Sequence, residues 1–312
     1  MIKIDFWSNR ANDREQMVSS YYAEMMRDRV PSKVKALDDW CSQYLPKTKE
    51  NNKEYLCSFE MVVKASPERL LQYKKHLDTN YDVDAIMDIL KARKGRCYTE
   101  TGLYNSMQYG KDHEKAKMIL LKGLGITVCP YCNRNYIYSD DEMVSCELDH
   151  FIPKSKYPIF AVSFYNLIPV CPTCNHKKGE TEFKYYPHHM EKVTDELLHF
   201  EYDILGSDYL RNVDSLNLRL ETLDVDFERQ VEALKLRNLY VLHKDIVQDI
   251  LRKREAFNDI YIQGLLKEFP DLFANEMEVK ELLFGTPLES KGYGKRPLAK
   301  LIADIVKEVD SL

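Results

Sequence analysis

Cys129-Pro-Tyr-Cys132, Glu147-Leu-Asp149-His150-Phe-Ile-Pro153-Lys-Ser155 and Asn166-Leu-Ile-Pro-Val-Cys171-Pro-Thr-Cys174-Asn175-His-Lys-Lys178-Gly179 all fall between residues 129 and 179. Four of the chain's eight cysteines pair here at Cys-x-x-Cys spacing. Random placement of eight cysteines would give about 0.2 such pairs, so chance is a poor account of two. A Cys-x-x-Cys turn brings two sulfurs onto one ion, and two such turns complete the tetrahedral thiolate set of a structural Zn²⁺. Cys129, Cys132, Cys171 and Cys174 are therefore candidate zinc ligands. A site closed by four thiolates has no open position, so this zinc would hold structure and do no chemistry. The 38 residues between Cys132 and Cys171 exceed the about 15–20 of a zinc ribbon, which marks the insertion as a folded element in its own right.

Asp149 and His150 close an expected strand inside this clamp, and Asn175 follows the last cysteine at the start of an expected helix. A hard cation such as Mg²⁺ or Mn²⁺ prefers oxygen, so a carboxylate, an amide oxygen and phosphate oxygens suit it. A neutral imidazole beside it can take a proton from an attacking water. The zinc clamp would hold strand and helix at their working separation. Lys154, Lys156, Lys177, Lys178 and Lys184 crowd the same segment, where they would draw a phosphate backbone. His176 competes with Asn175 as a ligand. His188-His189 reads as a surface loop pair.

Outside this stretch, 312 residues suffice for one large domain or two to three smaller ones. A net charge of -5 argues against a chain that is basic all over, yet a single basic face is enough to hold nucleic acid. No run of eighteen apolar residues occurs and Met1-Ile-Lys-Ile-Asp5 does not open a signal peptide, so the chain reads as cytoplasmic. In a reducing compartment the remaining Cys41, Cys57, Cys97 and Cys146 read as small buried hydrophobes.

Three regions follow from the patterning. Residues 1–125 read as helical, with apolar steps at Met17, Tyr21, Met25 and Met26 and at Val34, Leu37, Trp40, Cys41 and Tyr44. Ser66-Pro67-Glu68 is a helix start with Pro in its first turn. Another short helix runs from Asp82 to Lys91 and is closed by Gly95, and His113 to Lys122 leads into a break at Gly123-Leu-Gly125. Residues 126–186 carry short apolar runs. Asn135–Tyr138 and Met143–Leu148 alternate like a hairpin turning at Ser139-Asp140-Asp141, and Ser163–Val170 enters a second strand before a helix opens at Pro172. In residues 187–312, Leu198–Ile204 and Asn212–Leu220 alternate, with Leu216, Leu218 and Leu220 on one face. A long helical stretch then runs from Asp226 to Ile250, and Gly292–Pro297 reads as a flexible linker with Lys295 and Arg296 exposed. The expected architecture is α+β, mainly helical, with a central ββα module stapled by zinc.

The central stretch resembles the HNH, or ββα-metal, endonucleases of the four-cysteine kind. The resemblance rests on Cys129-x-x-Cys132, Asp149-His150-x-x-Pro153-x-Ser155, Asn166-Leu167 and Cys171-x-x-Cys174-Asn175-x-x-Lys178-Gly179. It implies that His150 is the general base, that Asp149 and Asn175 bind a catalytic Mg²⁺ or Mn²⁺, and that Asn166 braces the loop carrying His150. It also implies cleavage to a 5′-phosphate and a 3′-hydroxyl. DNA is the expected substrate, with RNA such as tRNA as the alternative, because the chemistry is done on the phosphate. A zinc-stabilised nucleic-acid-binding or assembly module without catalysis is the rival from another class. The helical flanks, with Tyr157-Pro158 and the late Gly-Lys-Arg-Pro-Leu298, resemble HNH proteins of bacterial defence loci. These include the nuclease subunits of Septu-type anti-phage systems, which work beside an ATPase; an ATPase partner subunit is thus an expectation of the resemblance.

Overall fold

A computed structural model describes residues 2–4, 11–27, 29–50, 53–90, 97–105, 114–139 and 143–311. Among the described residues helices dominate and the three small sheets have two strands each, so the architecture is mainly helical α+β. The N-terminal region comprises α1 (Ala11–Met26), α2 (Pro31–Tyr44), α3 (Phe59–Val63), α4 (Pro67–Asn80), α5 (Val83–Asp88), a π-helical turn at Thr99–Tyr104 and α6 (Glu114–Leu124). Ser66 caps α4 by accepting from the Arg69 amide, with Pro67 supplying a first-turn residue that has no N–H to satisfy. A hairpin of β1 (Thr48–Glu50) and β2 (Lys53–Tyr55), which the patterning does not foresee, joins α2 to α3. Gly95 and His113 lie outside the described residues, as do Asp140 and Asp141.

The central region is built on β3 (Glu147–His150), paired antiparallel to β4 (Leu167–Val170) and followed by α7 (Pro172–Lys178). Asp149 faces Ile168 and His150 faces Leu167 across the ladder. The expected hairpin of 135–138 with 143–148 is corrected. Among the described residues, an isolated bridge of Ser139 with Val144 and a bond from the Ser145 amide to the Tyr138 carbonyl link the two segments, another bridge joins Val128 to Tyr136, and the ladder of Glu147–His150 runs to residues some twenty positions downstream. Leu148 is buried on one side of the ladder, opposite Pro169, and Ile168 and Val170 are buried on the other, so β4 covers apolar residues on both faces of the pair.

In the C-terminal region β5 (Leu198–Ile204) and β6 (Leu216–Thr222) pair along their full length, with Leu216, Leu218 and Leu220 buried. The helical stretch expected over 226–250 is helical but not one continuous helix. It divides into α8 (Val225–Ala233), α9 (Leu236–Tyr240) and α10 (Lys244–Ala256), with Lys235 between the first two in the left-handed region at φ 55°. α11 (Asp259–Glu268), α12 (Glu276–Phe284) and α13 (Ala299–Asp310) complete the chain. Gly292–Pro297 is not a free linker: residues 290–295 form a 3₁₀ turn in which Gly292 and Tyr293 are buried, while Lys295 and Arg296 are exposed. Asn133, just past the first knuckle, holds this turn by donating to the Tyr293 carbonyl (2.7 Å) and accepting from the Lys300 amide (3.1 Å).

Buried apolar residues form one continuous core from Ile2 to Val306, drawn from all three regions, with a small satellite of Ile262, Phe273 and Val279. Polar bonds stitch the N-terminal helices to the loop after β3: Tyr21 donates to the Val162 carbonyl (2.9 Å), Ser163 to that of Val62 (3.0 Å), and Thr99 to that of Pro158 (2.5 Å). The loop that follows His150 is thus held from outside its own region. None of the described helices is long and apolar enough to cross a membrane.

Candidate active site

Cys129, Cys132, Cys171 and Cys174 are all buried, and their Sγ atoms lie within 4.8 Å of one another. Four sulfurs each about 2.3 Å from a central ion stand about 3.8 Å apart. The Cys132 and Cys171 sulfurs are 3.9 Å apart, so the set fits a tetrahedral ion such as zinc. Two donors support thiolate charge: the Arg134 amide on Cys132 Sγ (3.4 Å) and Asn135 Nδ2 on Cys171 Sγ (3.3 Å). Burial pushes the Cys129 thiol well above its usual range, a penalty that a dication among the sulfurs would offset. The cysteines at 41, 57, 97 and 146 are buried singly, as expected.

His150 ends β3 with its ring buried. Nε2 lies 3.0 Å from the Ala161 carbonyl, an acceptor only, which assigns the hydrogen to Nε2 and leaves Nδ1 as the nitrogen able to take a proton. Tyr104 meets the ring edge-on at 4.5 Å between centroids. Burial first, then the nearby charge of Lys154, lowers the imidazole pKa to about 3, so the ring is neutral near pH 7. Asn166, fully buried, accepts from the Ile152 amide (2.7 Å) and donates to the carbonyls of Ile152 (3.1 Å) and Phe160 (3.0 Å). Those bonds hold both ends of the loop that carries Ala161.

Asp149 is 3% exposed, and each of its oxygens has a protein donor: Tyr131 Oη on Oδ2 (2.5 Å) and Lys178 Nζ on Oδ1 (3.2 Å). Burial raises its pKa, against the Lys178 charge and the Tyr131 hydroxyl, which favour the carboxylate. Asn175 donates from Nδ2 to Glu147 Oε2 (2.6 Å), which turns its amide oxygen away from Glu147. A cleft of about 460 Å³ opens here, and its lining includes Glu100, Tyr104, Glu147, Asp149, His150 and Asn175. Glu180 also lines it, so four acidic residues border a space that would take a phosphate. Oxygen-rich lining of that sign suits a hard cation, which would turn repulsion of a phosphate into attraction.

The cationic residues divide. Lys154 lines the cleft with its ammonium over the Tyr104 ring at 4.3 Å, and Lys156 and Lys177 are exposed. Lys178, expected at the nucleic acid, is corrected: its side chain is fully buried and turned inward onto Asp149. Lys184 is exposed but pairs with Asp226 at 2.5 Å. His176 is exposed and lies outside the cleft lining that includes Asn175. Of the His188-His189 pair, expected at the surface, His189 is partly exposed and His188 is turned inward. His188 packs edge-on to Tyr165 and Tyr186 and burial lowers its pKa to about 4, while His189 bonds Glu68 at 2.7 Å.

Sequence reading missed Tyr131, Glu147, Tyr104 and Glu100. Glu147 carried a signal, since it stands two residues before Asp149 and so shares its face of the strand. Tyr104 and Glu100 come from the π-helical turn more than forty residues upstream, and nothing local pointed to them.

Comparison with known proteins places this site. Residues 129–181 match the HNH endonuclease family, so the chain contains an HNH domain. Over 165 residues the chain is 28% identical to the Septu protein PtuB of Bacillus thuringiensis, an alignment covering 51% of this chain and 59% of that protein. The chain thus spans about three fifths of the curated relative it matches. No solved structure matches the chain. The HNH domain and this relative support a nuclease role.

Proposed function

We propose that the chain is a metal-dependent HNH endonuclease that hydrolyses phosphodiester bonds in DNA, acting in anti-phage defence beside an ATPase partner. The observation that carries the reading is His150: a neutral imidazole anchored through Nε2 on the Ala161 carbonyl, with Nδ1 left to accept, in a cleft shared with Asp149 and Asn175. Similarity to the Septu protein PtuB supports the defence setting and the partner.

Asp149 and Asn175 would hold a Mg²⁺ or Mn²⁺, which when bound supplies positive charge against that gathering on the scissile phosphate. His150 Nδ1 takes a proton from water as the water oxygen attacks phosphorus. The bond from phosphorus to the 3′ oxygen breaks and that oxygen takes a proton from solvent water, leaving a 5′-phosphate and a 3′-hydroxyl. The Ala161 carbonyl stabilises the imidazolium formed in that step through the Nε2 hydrogen. Zn²⁺ on the four cysteines would tie the first knuckle to the junction of β4 and α7 and take no part in the chemistry. RNA is the second reading within the same chemistry, because the residues here address the phosphate.

Cleavage of plasmid DNA and of an RNA panel, with and without EDTA, tests this in wild type and His150→Ala. The expected loss in His150→Ala is about 10²–10⁴-fold. Because the imidazole pKa is lowered, kcat/KM should stay flat as the pH falls from 8 through about 6.5, where a free imidazole would half-protonate, and decline only nearer 4. Binding without cleavage in both proteins would instead identify a non-catalytic module.

A further inference from the structure

Lys178 and Tyr131 have no role in the chemistry above, yet both are fully buried and both end on Asp149. Tyr131 stands between Cys129 and Cys132 in the first knuckle. Lys178 stands four residues after Cys174, on the same face of α7, so one turn of helix links the second knuckle to its ammonium. The ammonium also donates to the His150 carbonyl at 3.0 Å, so it grips both residues of the strand end that carries the base. Burying an ammonium is costly unless it is paired, and here the pairing is spent on two consecutive site residues. The two side-chain donors are divided, one on each carboxylate oxygen, and the His150 backbone amide adds a third bond, so the carboxylate's roughly four lone-pair sites are not all used and a cation can still be accepted.

We propose that Lys178 and Tyr131 are positioning residues through which the two cysteine knuckles set Asp149 for the catalytic cation. One side chain reaches in from each knuckle, and together they fix the carboxylate's rotation and offer its open lone pairs to the cleft. The inference rests on the reading of Asp149 as a ligand of that cation. Partners that orient a metal ligand typically change metal affinity about 10–100-fold when removed.

The test measures Mn²⁺ affinity by titration calorimetry, with bound Mn²⁺ followed by electron paramagnetic resonance, in zinc-loaded protein of full length. All variants are made in a His150→Ala background, so that cleavage plays no part. Tyr131→Phe removes one hydroxyl and should weaken Mn²⁺ binding about 3–10-fold; Lys178→Met should weaken it about 10–100-fold, with one zinc per chain retained in both. Tyr131→Phe keeps the proposal testable if Lys178→Met does not fold. Asp149→Ala separates the two layers of the inference. If it binds Mn²⁺ as the parent does, Asp149 is no ligand and the reading of the site fails. If it weakens binding while Tyr131→Phe and Lys178→Met do not, only the positioning role fails. Tighter Mn²⁺ binding in Lys178→Met would show that the ammonium competes with the cation, and would also overturn the proposal.

Discussion

Replacing Asn166 removes three hydrogen bonds at once, and the structure gives their worth. In Asn166→Ala the Ile152 amide and the carbonyls of Ile152 and Phe160 lose their side-chain partner at a position without solvent exposure. The Phe160 carbonyl keeps the Ser163 amide, so two groups, the Ile152 amide and carbonyl, are left unsatisfied, each at a cost of about 1–3 kcal/mol. The loss should therefore be ~4 kcal/mol. At roughly 2 °C per kcal/mol for a chain of this size, the melting temperature should fall by about 8 °C, read by differential scanning fluorimetry. Asn166→Asp sharpens the test because it keeps the volume. One oxygen can still accept from Ile152, but the other now faces two carbonyls where an amide donated, and a buried charge results. At pH 7.5 it should be at least as destabilising as alanine, and it should recover in part at acid pH as the carboxyl regains a hydrogen to donate. Both variants should lose kcat more than DNA affinity, because the loop they loosen carries the Ala161 carbonyl that orients His150. A loss below about 1 kcal/mol in Asn166→Ala, or wild-type stability in Asn166→Asp, would refute the bracing role.

Two further outcomes follow from the site. Wild-type protein should contain one zinc per chain by plasma mass spectrometry; Cys174→Ser should lose it and more than ~3 kcal/mol of stability, and retention of full stability without zinc would exclude a structural ion. Burial lowers the His188 pKa to about 4 whereas the unfolded chain protonates near 6.5, so stability should be complete above about 6.5 and fall by up to ~3 kcal/mol as the pH drops to 4. Urea titrations at pH 7.5 and 4.5 should show a smaller acid loss in His188→Phe, and equal losses would mean that His188 is not the group responsible.

Residue spacing alone determined a good part of this protein. Two Cys-x-x-Cys pairs announce a tetrahedral set because the turn that brings two sulfurs together is local, and β4 and α7 follow from Leu167–Val170 and Pro172 for the same reason. The leucines at 216, 218 and 220 declare their buried face through period-two alternation. Tertiary structure decided the rest. The partner of Glu147–His150 was settled by which apolar faces bury together, and a distant β4 outcompeted the adjacent segment. The same holds for Lys178: in sequence it is one more lysine in a basic run, and only the packing of α7 on β3 turns its ammonium inward onto Asp149. Charge type is written in the chain, but whether a charge meets water or a carboxylate depends on what folds over it. The opposite wall of the cleft, Glu100 and Tyr104, arrives from another region through a shared core, and no local period records contacts of that range.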